Sequence, residues 1–214
     1  MLQRAIEERS VELNYIERTT EALELGRKYP NSRELLRALV RPDMLSIEHR
    51  FPASDRALVV KEMDEIALAA LETLNPAVLG AFHIMLKKEA TAPGGDARVY
   101  LGDEILQLSE DRKEAFGRPI HTVGVKFFMP PFTVSGEDDK PQIREANAVD
   151  VRIESLNENT ADLYVECTHQ FLEPVVPSAF DGLDRFVKIA NEFLDQRVAA
   201  FLQIPDKPEE ENDG

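Results

Sequence analysis

Two rhythms of apolar residues run along this chain, one repeating every three or four positions and one repeating every second position, and their boundaries predict its elements. Residues 2–29 are rich in helix formers, with no Gly or Pro before Gly26. Leu2, Ile6, Leu13, Ile16 and Leu23 keep a three-to-four rhythm around charged or polar gaps such as Arg9 and Thr20, which predicts a helix burying one narrow seam. Pro30-Asn31-Ser32 breaks it, and Leu35, Leu36, Leu39 and Val40 predict a second short helix capped by Ser32 and stopped by Pro42. The expectation is a helical hairpin over 1–42, an arm with little apolar area of its own.

From Met44 the period drops to two. Leu45, Ile47, His49 and Phe51 alternate with Ser46, Glu48 and Arg50, the pattern of a half-buried strand. Pro52 ends it, Ser54 offers an N-cap, and Val59, Met63, Ile66, Ala70 and Leu74 recur at helical spacing up to Asn75-Pro76. Residues 79–90 read as a strand with Phe82, Ile84 and Leu86 opposed to His83, Met85 and Lys87. The turn Ala92-Pro93-Gly94-Gly95 then predicts a hairpin into a short strand at 98–101. Residues 103–119 read as a loop with one helical turn, and 121–130 return to strand character before Pro130-Pro131. Ser135 to Pro141 form a polar, exposed loop.

Residues 148–156 and 161–171 flank Asn157-Glu158-Asn159-Thr160 and predict the clearest hairpin of the chain. After Pro177, Ser178 with Asp181 three residues on forms an acidic capping box. Leu183, Phe186, Ala190, Phe193, Arg197 or Val198, and Phe201 then step 3, 4, 3, 4, 3, predicting a long buried C-terminal helix that ends at Pro205.

Consecutive strands with segregated helices define an α+β fold. The expected architecture is a curved antiparallel sheet of about six strands, with one long early helix and one long C-terminal helix packed on it and the helical hairpin in front. The organisation follows as a helical arm at 1–42, a main domain at 43–204 and a disordered acidic tail at 205–214. In element order alone, residues 44–202 resemble the helix-grip arrangement of lipid-binding proteins. The likeness carries no motif, so it assigns no residue a role, and the single early helix replaces the two short ones usual there. A tandem pair of ferredoxin-like halves is the other arrangement of these elements, without an internal repeat to support it.

Charge changes the picture of what the protein touches. The formal net charge is −15, yet residues 1–42 are close to neutral at +1 and the last ten residues carry −4, leaving about −12 on 43–204. Such a surface repels phosphate backbones, so nucleic acid is not an expected partner. The single cysteine, Cys167, cannot close an intrachain disulfide, the opening MLQRAIEERS lacks an apolar signal core, and no apolar stretch approaches the ~20 residues of a membrane span. A cytoplasmic protein without membrane association is the expectation.

Candidate chemistry is sparse. The four histidines, His49, His83, His121 and His169, include no pair at helical ligand spacing, so no metal site is legible and no cofactor is expected. Cys167 and His169 share one face of their predicted strand with Leu163, Val165 and Phe171, while Glu166 points away, so the apparent Glu-Cys-His cluster is split by alternation. An apolar-face cysteine reads as packing rather than as a nucleophile. Gly94-Gly95 lacks the pattern and the following helix of a phosphate loop.

The unusual segment is Phe127-Phe128-Met129-Pro130-Pro131-Phe132. Alternate strand residues point to opposite faces and proline cannot pair inside a ladder, so these side chains cannot all enter one core. They form the candidate partner or ligand surface. The first functional expectation is therefore a non-enzymatic interaction or assembly module, self-associating or binding a partner protein. A second is a small-molecule or lipid-binding domain with an apolar cavity between sheet and C-terminal helix, lined by Phe127, Val151, Leu163 and Phe186. A third, resting on charge, is an immunity-like or antitoxin-like protein that neutralises a basic enzyme.

Overall fold

The computed structural model describes residues 1–28, 32–50, 55–135 and 141–203. It is a mixed α+β protein with two four-stranded antiparallel sheets. The chain forms two compact units, the first made of Met1–Gly80 and Pro174–Val187, the second of Ala81–Glu173 and the chain from Lys188.

The first unit opens with α1 (Leu2–Glu8), followed by β1 (Tyr15–Arg18), β2 (Leu23–Lys28), β3 (Leu35–Arg41) and β4 (Met44–Arg50), a meander in spatial order 1-2-3-4. The expected helical hairpin is thus a single short helix and three strands. Both periods are present in Leu35–Arg41, and the period of two is the one realised: Leu36, Ala38 and Val40 point inward while Leu35, Arg37 and Leu39 are only half-buried. Pairing with β2 over Leu35–Val40 and with β4 over Leu35–Arg41 gives this segment ladder hydrogen bonds on both sides and overrides its helix propensity. Pro42-Asp43 forms the two-residue turn of the β3–β4 hairpin, so residues 1–42 continue into the same sheet.

One face of this sheet carries Leu25, Leu36, Ala38 and Val40, and α2 (Arg56–Leu74) supplies the matching Ile66, Ala69 and Ala70 of the same core. Three alanines at 67, 69 and 70 keep the inner side of the helix low, which lets it lie close to the sheet. Asp55 is its N-cap, accepting from the Leu58 N–H at 2.9 Å, and Asn75 ends it in the left-handed region at φ 46°. The expected cap Ser54 and stop Pro52 lie outside the described residues. Leu2, Ile6 and Val11 close the same core, and Arg9 reaches Glu65 at 2.8 Å and Glu72 at 2.6 Å on α2.

Residues 174–187 return to this unit. Leu79 and Val175 form an isolated antiparallel bridge, and the Leu183 N–H donates to the Asp64 carboxylate at 3.0 Å. Gly182 sits at φ 117° with the Asp64 carboxylate only 2.8 Å from where a Cβ would stand, so glycine alone fits. Phe180 stacks on Phe186, and the Arg185 guanidinium lies 4.5 Å from the Phe186 ring centre. The capping box expected at Ser178 and Asp181 does not form. Pro177–Ala179 is a 3₁₀ turn, and α5 (Asp184–Glu192) starts beyond Gly182.

In the second unit, β5 (Phe82–Thr91), β6 (Gly124–Met129), β9 (Asn147–Ser155) and β10 (Asp162–Phe171) form a sheet in order 5-10-9-6, while β7 (Phe132–Ser135) and β8 (Pro141–Glu145) pair separately. The expected β9–β10 hairpin is present, with Leu163 opposite Ser155 and Phe171 opposite Asn147. Burial alternates strictly along β10, and its inward residues join Val149, Val151 and Ile153 in the core. The hairpin expected after Gly94-Gly95 is instead a helix entry. Asp96 caps α3 (Ala97–Val99) by accepting from the Arg98 and Val99 N–H groups, both at 3.0 Å, and the helix runs on through a π turn at Tyr100–Ile105.

The C-terminal helix continues α5 through a second π turn, Phe193–Val198, and ends with Ala199–Phe201. Its buried apolar positions are Phe186, Ala190, Leu194, Val198 and Leu202, a step of four throughout, with the polar Asn191 buried beside Ala190. The expected alternation of three and four fails at its end: Phe193 is half-buried and Phe201 exposed. A π turn takes more residues per revolution than an α turn, and so returns every fourth residue to the same side. The buried Tyr100 hydroxyl donates to the Leu202 carbonyl at 2.6 Å, tying the helix end to the core. The expected stop at Pro205 and the acidic tail lie outside the described residues.

Gly26 tests this arrangement. A Cβ there would stand 2.3 Å from the Leu36 carbonyl oxygen and 2.6 Å from the Tyr15 hydroxyl, so Gly26→Ala is expected to destabilise the protein by about 1–3 kcal/mol, read from the urea midpoint.

Candidate functional site

The aromatic-proline segment divides as alternation requires. Phe127 lies opposite Val151 and Met129 opposite Val149, which puts both on the core-facing side of the sheet, whereas Phe128 lies opposite Asp150 on the other. Only Met129 packs against the core. Phe127 is 39 % exposed, Phe128 59 % and Phe132 49 %, and Pro130 and Pro131 between the two strands are exposed as well. Phe127 meets Phe201 edge to face at 5.2 Å between ring centres, and Phe201 is itself 42 % exposed. The segment therefore presents aromatic rings on both sides of one strand. That strand, β6, is an edge of its sheet, paired with β9 alone among the described residues. Among the described residues no strand pairs with its outer side, and the Pro130-Pro131 break ends the ladder.

Cys167 and His169 do share a face, as expected, and both are buried. Cys167 is opposite Leu86 and Val151, His169 opposite Ile84 and Val149. Burial, together with the nearby Asp150 charge, pushes the Cys167 thiol up to about 11, so it is a neutral packing group at physiological pH. His169 stacks against Phe171 and meets Phe193 edge-on at 5.1 Å. Neither of its ring nitrogens has a hydrogen-bond partner among the described residues, and burial holds its pKa below the usual value. No hydrogen bond joins it to Cys167 among the described residues, so the pair lacks the proton path a nucleophile needs.

The first unit holds a denser ionic group that the spacing of its residues did not reveal. Arg27 on β2 donates to both oxygens of Glu62 on α2, at 2.8 and 3.0 Å, and lies 3.5 Å from Glu34. His49 on β4, whose side chain is fully buried, sits 3.0 Å from Glu34 through Nε2 and 3.8 Å from Glu62 through Nδ1. Register explains the assembly: Arg27 opposes Leu36, which opposes His49, so the ionic group finishes the buried face of the sheet. The hydrogen bond from His49 holds the Glu34 carboxyl below its usual range. This network links β2, β4 and α2 through paired opposite charges, with His49 Nδ1 left without a hydrogen-bond partner among the described residues, and its role is structural.

Of the residues expected to line an apolar cavity, Val151 and Leu163 are packed into the second unit's core with Leu194, Val198 and Leu202, while Phe186 stacks on Phe180 in the first unit. No group of three or more potential metal ligands occurs among the described residues, and none of their helices is long and apolar enough to cross a membrane.

Two outcomes follow. Cys167 is expected to resist thiol reagents in the native protein at pH 7.5 and to label fully once unfolded, as read by intact mass. Because the folded state disfavours charged His169, stability is at its full value above about pH 6.5 and falls as pH drops through the unfolded pKa. His169→Phe is expected to flatten the decline between about pH 6.5 and 5 relative to wild type in urea titrations at each pH. Comparison with family models, with curated proteins and with solved structures finds no match to this chain.

Proposed function

We propose that this protein is an interaction or assembly module that engages a second copy of itself, or a partner protein, along the β6 edge. The observation that carries this reading is the exposure of Phe127, Phe128 and Phe132 around an open strand edge, with Phe201 extending the patch on the helix side. Aromatic rings exposed together at one edge are the usual composition of an interface centre, where a few such residues supply most of the binding energy. The strand edge adds main-chain hydrogen bonds, and the side chains on its two faces add specificity. The charged face of the same sheet gives a polar rim: Lys126 pairs with Asp150 at 2.9 Å, and Arg152 with Glu154 at 2.7 Å.

Sedimentation of wild type and of the Phe128→Ser/Phe132→Ser double variant tests this. Wild type is expected to self-associate with rising concentration, and the variant to need at least about tenfold more protein for the same association at unchanged far-UV circular dichroism. A wild-type chain that stays monomeric, and in which a photo-crosslinking residue at position 128 captures no protein in cells, overturns the reading.

A further inference from the structure

The second unit contains a cleft of about 630 Å³ built entirely from residues 98–123, a size suited to a small organic ligand. The π turn at Tyr100–Ile105 sends Tyr100 and Leu101 into the core and leaves Gly102 and Asp103 on the cleft wall. Gly102 is buried, and a Cβ there would meet Val123 Cγ2 at 3.8 Å, an ordinary van der Waals contact, so the wall is closely packed at this point. Gln107, in the left-handed region at φ 50°, turns the chain back, and the Leu108 N–H donates to the Gly102 carbonyl at 2.8 Å. A short helix, α4 (Glu110–Glu114), then supplies Lys113 and Glu114. Gly117 at φ 62° redirects the chain through Arg118, Pro119 and Ile120 along the far side. Val123 is fixed by donating its N–H to Ser155 Oγ at 2.8 Å.

The lining divides into an apolar part, with Val99, Leu108, Ile120 and Val123, and a charged part with Arg98, Lys113 and Arg118 against Asp103 and Glu114. The cations are unequally committed. Lys113 is held by Asp103 and by Glu110 at 2.8 Å. Arg98 is held only loosely, by Asp96 at 3.6 Å and the Ile120 carbonyl at 3.4 Å. Arg118 makes no ion pair or side-chain hydrogen bond among the described residues. A guanidinium fork matches a carboxylate with two parallel hydrogen bonds. With Asp96 and Glu110 counted beside Asp103 and Glu114, acids outnumber the three cations, so the charge offered to a ligand is that of the one uncommitted guanidinium, Arg118, which suits a monoanion and disfavours a dianion such as phosphate.

We propose that this cleft binds a small aliphatic monocarboxylate, its carboxylate taken by Arg118 and Arg98 and its hydrocarbon body laid against Val99, Leu108, Ile120 and Val123. The site is separate from the β6 edge and does not depend on it. Gly117, with nothing within 4 Å of a Cβ position, leaves room along one wall, and the uncommitted guanidinium sets the preference for the charged head over a neutral one.

The test is a titration of the ¹⁵N-labelled full chain, followed by amide chemical shifts, with sodium 4-methylpentanoate, its uncharged amide and inorganic phosphate, each taken to about 10 mM so that millimolar binding is seen. Expected are saturable shifts confined to residues 98–123 with the carboxylate. The amide, and the carboxylate with Arg118→Gln, are expected to bind at least about tenfold more weakly. Arg118 is exposed, so its replacement leaves the fold intact. Absence of saturable shifts, equal binding of acid and amide, phosphate binding as tightly as the carboxylate, or unchanged affinity in Arg118→Gln would each overturn the proposal.

Discussion

Each four-stranded sheet has one face that must be removed from water, and the means of covering that face governs most of what else the chain does. In the first unit the cover is α2, whose alanines allow close approach. In the second it comes from the 97–105 helix and the C-terminal helix together, through Tyr100, Leu101, Leu194, Val198 and Leu202. Burial of these faces rewards period-two sequences strongly enough to draw Leu35–Arg41 into a strand although its leucines and arginines are good helix formers. Once a strand is committed, a slip of one residue would turn every inward side chain outward, so register is fixed by the same term.

The edges of the apolar faces are finished in different chemistry. In the first sheet the last inward positions are Arg27 and His49, and the carboxylates of Glu34 and Glu62 pair with them where the group lies against apolar neighbours. In the second sheet the corresponding finish is His169 among Phe171 and Phe193, neutral and held by ring packing. The first network depends on the Glu34 carboxylate staying ionised, the second on an imidazole staying uncharged. Both conditions are met near neutrality and lost towards acid.

What the amino-acid order disclosed follows from this physics. Strands 44–50, 82–91, 147–155 and 162–171 and helix 56–74 were legible because each has one dominant period and a clear stop such as Asn75. The opposed faces of Phe127 and Phe128 were legible for the same reason. Residues 15–41 were not, since their leucines satisfy both periods and only pairing with neighbours decides between them. The 97–105 helix had a usable signal, Asp96 as cap followed by Ala97, Tyr100, Leu101 and Ile105 at helical spacing, but Pro93-Gly94-Gly95 in front of it imitates a hairpin turn. With that turn in front, the segment has the pattern of a strand and a loop, and the cleft it walls leaves no mark in the sequence. The ionic group of Arg27, Glu34, His49 and Glu62 was hidden by separations in sequence that only the meander closes.

The π turn at Phe193–Val198 acts as a vernier. Ala190, Leu194, Val198 and Leu202 would drift by about 40° at each step on a regular α-helix, so the last would stand roughly a third of a revolution from the first. The wider turn cancels part of that drift, so a helix with a four-residue beat keeps Leu202 within reach of Tyr100. The turn therefore behaves as one inserted residue whose phase the core has absorbed.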